Sequence, residues 1–242
     1  MRRKGRFIFW GLGLMLLAFL IQFPIQKQVT TMETASWSLP LSGKVIVLDA
    51  GHGGPDGGAA GKDKTQEKDI SLIITKKLQR YLQQSGALVY LTREKDTDLA
   101  DDATKGLSRR KAEDIRNRLQ FIHDKEADFY VTVHLNALPS TRWSGAQTFY
   151  YPKFDESKHL AKMIQNEIIR NLENTTRTPL ALNGIYLLKH AEVPGALVEV
   201  GFLSNEQERE QLKKEDYQQK MAASIYEGIL RYVTEEIEED TD

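Results

Sequence analysis

Apolar and polar positions alternate along the chain in a way that predicts strand and helix in turn. Val45 to Leu48 is a short apolar run between Gly43 and the glycine-rich stretch 51–58, which reads as a buried strand. Ile70, Ile73 or Ile74, Leu78 and Tyr81 recur at helical spacing, with Gly86 as a stop. The same reading predicts strands at Leu88–Leu91, Phe129–Val133, Phe149–Tyr151, Ile185–Leu188 and Leu197–Val200. Ala112, Ile115, Leu119 and Ile122 predict a second helix, Leu160, Ile164, Ile168 and Leu172 a third, and Met221, Ile225, Ile229 and Tyr232 a last one. Strands alternating with helices imply an α/β fold: a single domain with a central, mostly parallel (mixed) sheet flanked by helices on both faces.

The amino terminus follows a different pattern. Arg2, Arg3, Lys4 and Arg6 precede Phe7 to Phe23, a run of 17 residues without a charge. A basic patch before an apolar stretch marks a secretory signal or a membrane anchor, and the positive-inside rule sends the rest of the chain out of the cytoplasm. The run is long for a signal peptide, and no small-x-small cleavage site follows it, which favours a retained anchor. The expected organisation is therefore a signal or anchor over 1–26, a polar linker over 27–42, a catalytic domain over 43–234 and a solvated acidic tail over 235–242. The exported part belongs outside the membrane, either tethered through its amino-terminal segment or secreted.

Composition narrows the chemistry. With a net charge of -1 over 242 residues, no whole-protein field favours nucleic acid. With no cysteine, a transition metal can be held only by histidine and carboxylate.

Three predicted strands run into conspicuous polar residues. The first enters Asp49-Ala50-Gly51-His52-Gly53-Gly54, the strand 129–133 enters His134-Leu135-Asn136-Ala137, and the strand 197–200 encloses Glu199. In open α/β sheets the ligand site lies beyond the carboxyl ends of strands, so distant residues can meet there. Glu67 sits just before the first helix. Two histidines and one carboxylate leave one open position on a tetrahedral zinc, which lowers the pKa of water to about 7. A further carboxylate can then move the proton to a leaving amine, and Glu199 suits that role. The bland alternatives stand beside this reading: a histidine after a strand is often structural, and Glu67 at a helix start can serve the macrodipole.

Four segments, in order, carry a resemblance: Asp49 to Ala59, then Glu67, then Val133 to Ala137, then Pro194 to Asn205. They closely resemble the zinc N-acetylmuramoyl-L-alanine amidase family, the amidase type 3 group, over roughly residues 43–233. The resemblance implies one zinc per chain on His52, Glu67 and His134, with Glu199 as catalytic base. It also implies peptidoglycan glycan strands with stem peptides as substrate. Ser108 to Asp114 and Trp143 to Gln147 look most like the germination-specific amidases of spore-forming bacteria. That likeness implies work on spore cortex peptidoglycan, where a muramic acid deacetylase acts next towards muramic δ-lactam and an activating lipoprotein can be a partner. The same zinc kit also serves carboxypeptidases and other wall peptidases, and a non-catalytic wall-binding scaffold is the reading from another class.

The remaining polar residues are assigned more modestly. Asn136, His190 and Asn205 are candidate substrate contacts, the asparagines also candidates to steady loops. Leu135, where relatives carry a small residue, is expected to narrow the site. His123 and His159 are expected at the surface, and Asp63 outside the site. Asp96, Asp98, Asp101 and Asp102 lack the register of a calcium loop and read as a solvated loop. Trp143, Tyr150 and Tyr151 suit either a sugar groove or packing. The stretch from Lys153 to Pro179 holds one helix only, which leaves no room for an inserted inhibitory helix.

Overall fold

The computed structural model describes Met15, Leu17, Phe19 and residues 39–237. Met15, Leu17 and Phe19 are helical and exposed. The rest of the expected leader, the linker up to residue 38 and the tail from 238 lie outside the described residues. No helix among the described residues is long and apolar enough to cross a membrane. The expected linker reaches the domain before it ends, because Leu41 is fully buried and its amide donates to Ser85 O at 2.9 Å.

In chain order the elements are β1 (Val45–Ala50), α1 (Glu67–Gln84), β2 (Leu88–Leu91), α2 (Leu107–Asp124), β3 (Phe129–Asn136), β4 (Gln147–Tyr150), α3 (Asp155–Leu172), β5 (Leu180–Ala181), α4 (Tyr186–His190), β6 (Gly195–Phe202), α5 (Glu206–Leu212) and α6 (Glu215–Thr234). They build one six-stranded sheet in the order β2-β1-β3-β6-β4-β5. Every neighbouring pair is parallel except β4 with β6, so the sheet is mixed.

Period-two alternation divides the core. Ile46, Leu48, Phe129, Val131, Val133, Val198 and Val200 join one cluster with the apolar stripes of α1, α3 and α6. Val47, Tyr130 and Leu197 face the other way, against Ile122 of α2 and Leu187 and Leu188 of α4. Helices therefore cover both faces. On the second face each central strand changes from apolar to polar towards its carboxyl end: Val47 to Asp49, Tyr130 through Thr132 to His134, Leu197 to Glu199.

One expected element changes type. Ile185–Leu188 is not a strand: residues 186–190 form α4, with Lys189 N bonded to Ile185 O at 3.0 Å and Ala191 N to Leu187 O at 3.1 Å. A four-residue apolar run fits a buried helical turn as well as a strand, and periodicity cannot separate them at that length. The polar helix α5 and the two-residue, exposed β5 are too weakly patterned to be read from the sequence. Of the two isoleucines the periodicity left open, Ile74 faces the core and Ile73 is 42% exposed.

Candidate active site

The site is built around the loop that leaves β1. Gly51 continues the pairing with β3 through its amide, 3.0 Å from Val133 O. A Cβ at Gly51 would lie 2.3 Å from the His134 ring, so the imidazole packs directly on bare backbone. His52 takes a left-handed backbone, φ 62°, which is uncommon outside glycine. Gly53 and Asp56 then exchange two backbone hydrogen bonds of 2.9 and 3.1 Å, closing a tight turn. At Gly58, φ 69°, a Cβ would lie 2.5 Å from Glu67 Oε2 and 2.7 Å from His52 Cδ2. These glycines make room for three polar side chains.

Glu67, the first residue of α1, is buried, and both its oxygens face imidazoles. Oε1 lies 2.9 Å from His134 Nδ1 and Oε2 lies 3.2 Å from His52 Nε2. The backbone amides of Leu135 and Ala59 donate to the same two oxygens at 2.9 and 2.7 Å, so the carboxylate cannot rotate freely. One ligand atom each from His52, Glu67 and His134 lie within 4.8 Å of one another, a spacing at which they can hold a metal ion. Asp56 Oδ2 sits 2.8 Å from His52 Nδ1. That contact holds the ring's proton on Nδ1 and leaves Nε2 as the donor atom, as an outer carboxylate does behind many metal-bound histidines. Lys111 of α2 approaches Asp56 in turn, at 2.9 Å. Burial works against ionised Glu67, but hydrogen bonds and charge from the two imidazoles hold its carboxyl well below the usual carboxylate range. Burial likewise opposes protonated His52, and Glu67 and Asp56 overcome it, so its pKa is raised.

Glu199 pairs side by side with His134, on the neighbouring strand β6. Parallel strands lie about 4.8 Å apart, so the two side chains rise from the sheet together. Glu199 Oε2 is buried and makes no hydrogen bond within the protein. Burial first, and then the charge of Glu67, push its pKa up to about 7, against the pull of His134 and His52. A carboxyl that changes protonation near neutrality, beside a candidate metal cluster, has the properties of a general base.

Residues 46–231 match the family described as N-acetylmuramoyl-L-alanine amidase. The chain belongs to that family. The germination-specific N-acetylmuramoyl-L-alanine amidase of Bacillus subtilis strain 168 is 54% identical over 235 residues, covering 97% of this chain and 98% of that protein. The amidase LytC of the same strain is 31% identical over 206 residues, which are 84% of this chain and 38% of LytC. Among solved structures, the CwlD amidase of Clostridioides difficile, in complex with the GerS lipoprotein, matches at 44% identity with a TM-score of 0.78, covering 80% of this chain and all of that one. An amidase of Clostridium difficile 630 matches at 29% identity with a TM-score of 0.70, covering 80% of this chain and 98% of that one. The fold is that of this amidase family.

Other predicted residues of the amidase fall elsewhere. Asn136 ends β3 just past a register shift, and its carbonyl accepts from Leu203 N at 2.7 Å. Asn205 caps α5, accepting from Glu208 N at 3.1 Å, and its Nδ2 donates to Thr141 O at 3.0 Å. Its side chain steadies loops at both ends. His190 is exposed on α4, its ring against Tyr186. Leu135 does not narrow the site: strand alternation turns its side chain into the core opposite His134, and only its amide serves Glu67. His159 is not at the surface but 5% exposed, near Tyr232. His123 is half-buried and accepts from Glu192 N at 3.3 Å. Asp63 pairs with Arg209 and Lys213, outside the cluster. Tyr150 and Tyr151 pack against the two cores, whereas Trp143 is exposed beneath Arg142.

The acidic loop is not simply solvated. Asp96 accepts from Gly54 N at 2.8 Å and from Lys68 at 2.7 Å, and Asp98 holds Arg110. The loop thereby braces the turn that carries His52. Sequence reasoning missed Asp56, Lys111 and Asp96 in these roles. Asp56 lay inside the quoted glycine motif, and only its position four residues after His52 hinted at the contact.

Proposed function

We propose that this chain is a zinc amidase that hydrolyses the amide joining the lactyl group of N-acetylmuramic acid to L-alanine in cortex peptidoglycan. The observation that carries the zinc reading is the meeting of His52, Glu67 and His134 around one point. Zinc bonds of about 2 Å at tetrahedral angles separate ligand atoms by about 3.3 Å. One ligand atom from each of the three residues lies within 4.8 Å of the others, and two imidazoles with one carboxylate are a donor set zinc favours. His52, Glu67 and His134 would hold the ion. When bound, zinc supplies Lewis acidity, polarising the amide carbonyl and bringing the pKa of water towards neutrality.

The protein's own part in the reaction is proton transfer and positioning. Glu199 Oε2 takes the proton of the attacking water as its oxygen bonds to the carbonyl carbon. Glu199 then returns that proton to the nitrogen as the C–N bond breaks. The products are a lactyl carboxylate on muramic acid and a stem peptide with a free L-alanine amine. The bared muramic acid is the substrate class of a deacetylase leading to muramic δ-lactam. By likeness to the relative solved with a lipoprotein, this chain takes a lipoprotein partner on the outer side of the membrane, reached through the basic and apolar amino-terminal segment.

Digestion of purified sacculi tests the reading. New amino-terminal L-alanine should appear with zinc and vanish with a chelator. Release of free D-alanine instead would point to a carboxypeptidase and overturn it.

A further inference from the structure

Two arginines lie buried directly behind the metal-site loop. Arg118 of α2 is 1% exposed and Arg93, just past β2, is 3% exposed. Arg118 Nη1 donates to Asp49 Oδ1 at 2.6 Å and Ala50 O at 2.8 Å, Nη2 to His52 O at 2.6 Å, and Nε to Asp114 Oδ2 at 2.9 Å. Arg93 Nε donates to Ala50 O at 2.9 Å, and its Nη2 to Gly51 O at 3.0 Å and Lys68 O at 2.7 Å. The carbonyls of Ala50, Gly51 and His52 thus all accept from a guanidinium.

Ordinary strand-end carbonyls are satisfied by a neighbouring strand or by water, and a buried cation is costly unless fully paired. Here two cations are buried where the backbone of His52 is held left-handed at φ 62°. A strained backbone of this kind persists only where its surroundings over-determine it. The anchor is itself rigid: Asp49 also accepts from Thr92 and Thr132, both at 2.6 Å. Lysine cannot replace the planar fork, because one ammonium cannot reach Asp49, Ala50 O, His52 O and Asp114 with the same geometry.

We propose that Arg118, supported by Arg93, is a positioning residue for the metal centre: it pins the His52 carbonyl and so aims the imidazole at Glu67 and His134. This rests on the zinc reading above. Zinc dissociation constants, measured by competition with a chromogenic chelator on full-length protein, test it, with far-UV circular dichroism of each metal-free variant as the folding control. Arg118→Lys should remain folded yet bind zinc 10–100-fold more weakly, the usual loss when an outer partner of a ligand is removed. Arg231→Lys weakens a different ion pair, to Glu167 between α6 and α3, and should leave zinc affinity unchanged. A folded Arg118→Lys with zinc affinity within twofold of wild type overturns the proposal. If Arg118→Lys does not fold, Arg93→Lys carries the same two outcomes; if neither folds, the arginines serve the fold alone and the proposal fails. Wild-type protein that binds no zinc would instead sink the functional reading, a separate result.

Discussion

Glu199 gathers its properties from position. A carboxyl in mid-strand, one oxygen buried and unbonded, is a cost the fold carries. Replacing it therefore has effects of opposite sign. Glu199→Gln should lower turnover on sacculi by roughly 10²–10⁴-fold, the usual range for a general base, without loss of bound zinc. The same change should stabilise the metal-free protein above neutrality. Unfolded, the carboxyl ionises near 4.5; folded, near 7. Between these values the unfolded chain has released the proton and the folded one has not, so stability falls as pH rises. Denaturant titrations should show Glu199→Gln level with wild type at pH 4 and more stable by roughly 3 kcal/mol at pH 8. Equal stability of the two proteins at pH 8 would contradict the burial argument.

Individual elements put His52, Glu67 and His134 in reach of one another. The loop after β1 depends on the missing side chain of Gly51, where a methyl would meet the His134 ring. Gly51→Ala should displace that ring and abolish stoichiometric zinc, read by elemental analysis of dialysed protein, while the helical signal persists. At α5 the Asn205 cap both starts the helix and holds Thr141. Asn205→Ala should cost about 1 kcal/mol in chemical denaturation, the ordinary value of a lost cap. Its effect on KM should be small if its role is to steady loops, and large if it contacts substrate.

At the scale of the whole molecule, the sheet's central strands and two helices share one buried ionic network. Burial raises the Asp49 carboxyl, but Arg118, Thr132 and Thr92 together hold it down near 2 against an ordinary 3.8. That stability is present above pH 3.8 and lost as pH falls through about 2, so acid unfolding should steepen there. Ligand binding should act in the other direction. Zinc at about 100 times its dissociation constant should add about 2.7 kcal/mol, raising Tm by several degrees in wild type and not in His134→Ala.

Much of this was legible in the residues alone. Periodicity located the long strands and helices because one buried face imposes a repeat of two or about 3.6. The ordered segments around His52, Glu67, His134 and Glu199 carried the resemblance to the family, and the two histidines stand at or just past the carboxyl ends of β1 and β3. Short segments were not legible. Residues 186–190 became a helix rather than a strand because Leu187 and Leu188 must both enter the core beside α2, a demand set by neighbours. Leu135 is core rather than site because β3 continues past His134, and each added residue reverses the face. The arginine cradle was hidden for the same reason: Arg118 sits in the apolar register of α2, and only the packed sheet shows which carbonyls its charge must satisfy. Local sequence determines how each segment repeats; which distant groups share a buried space is decided only when the segments pack.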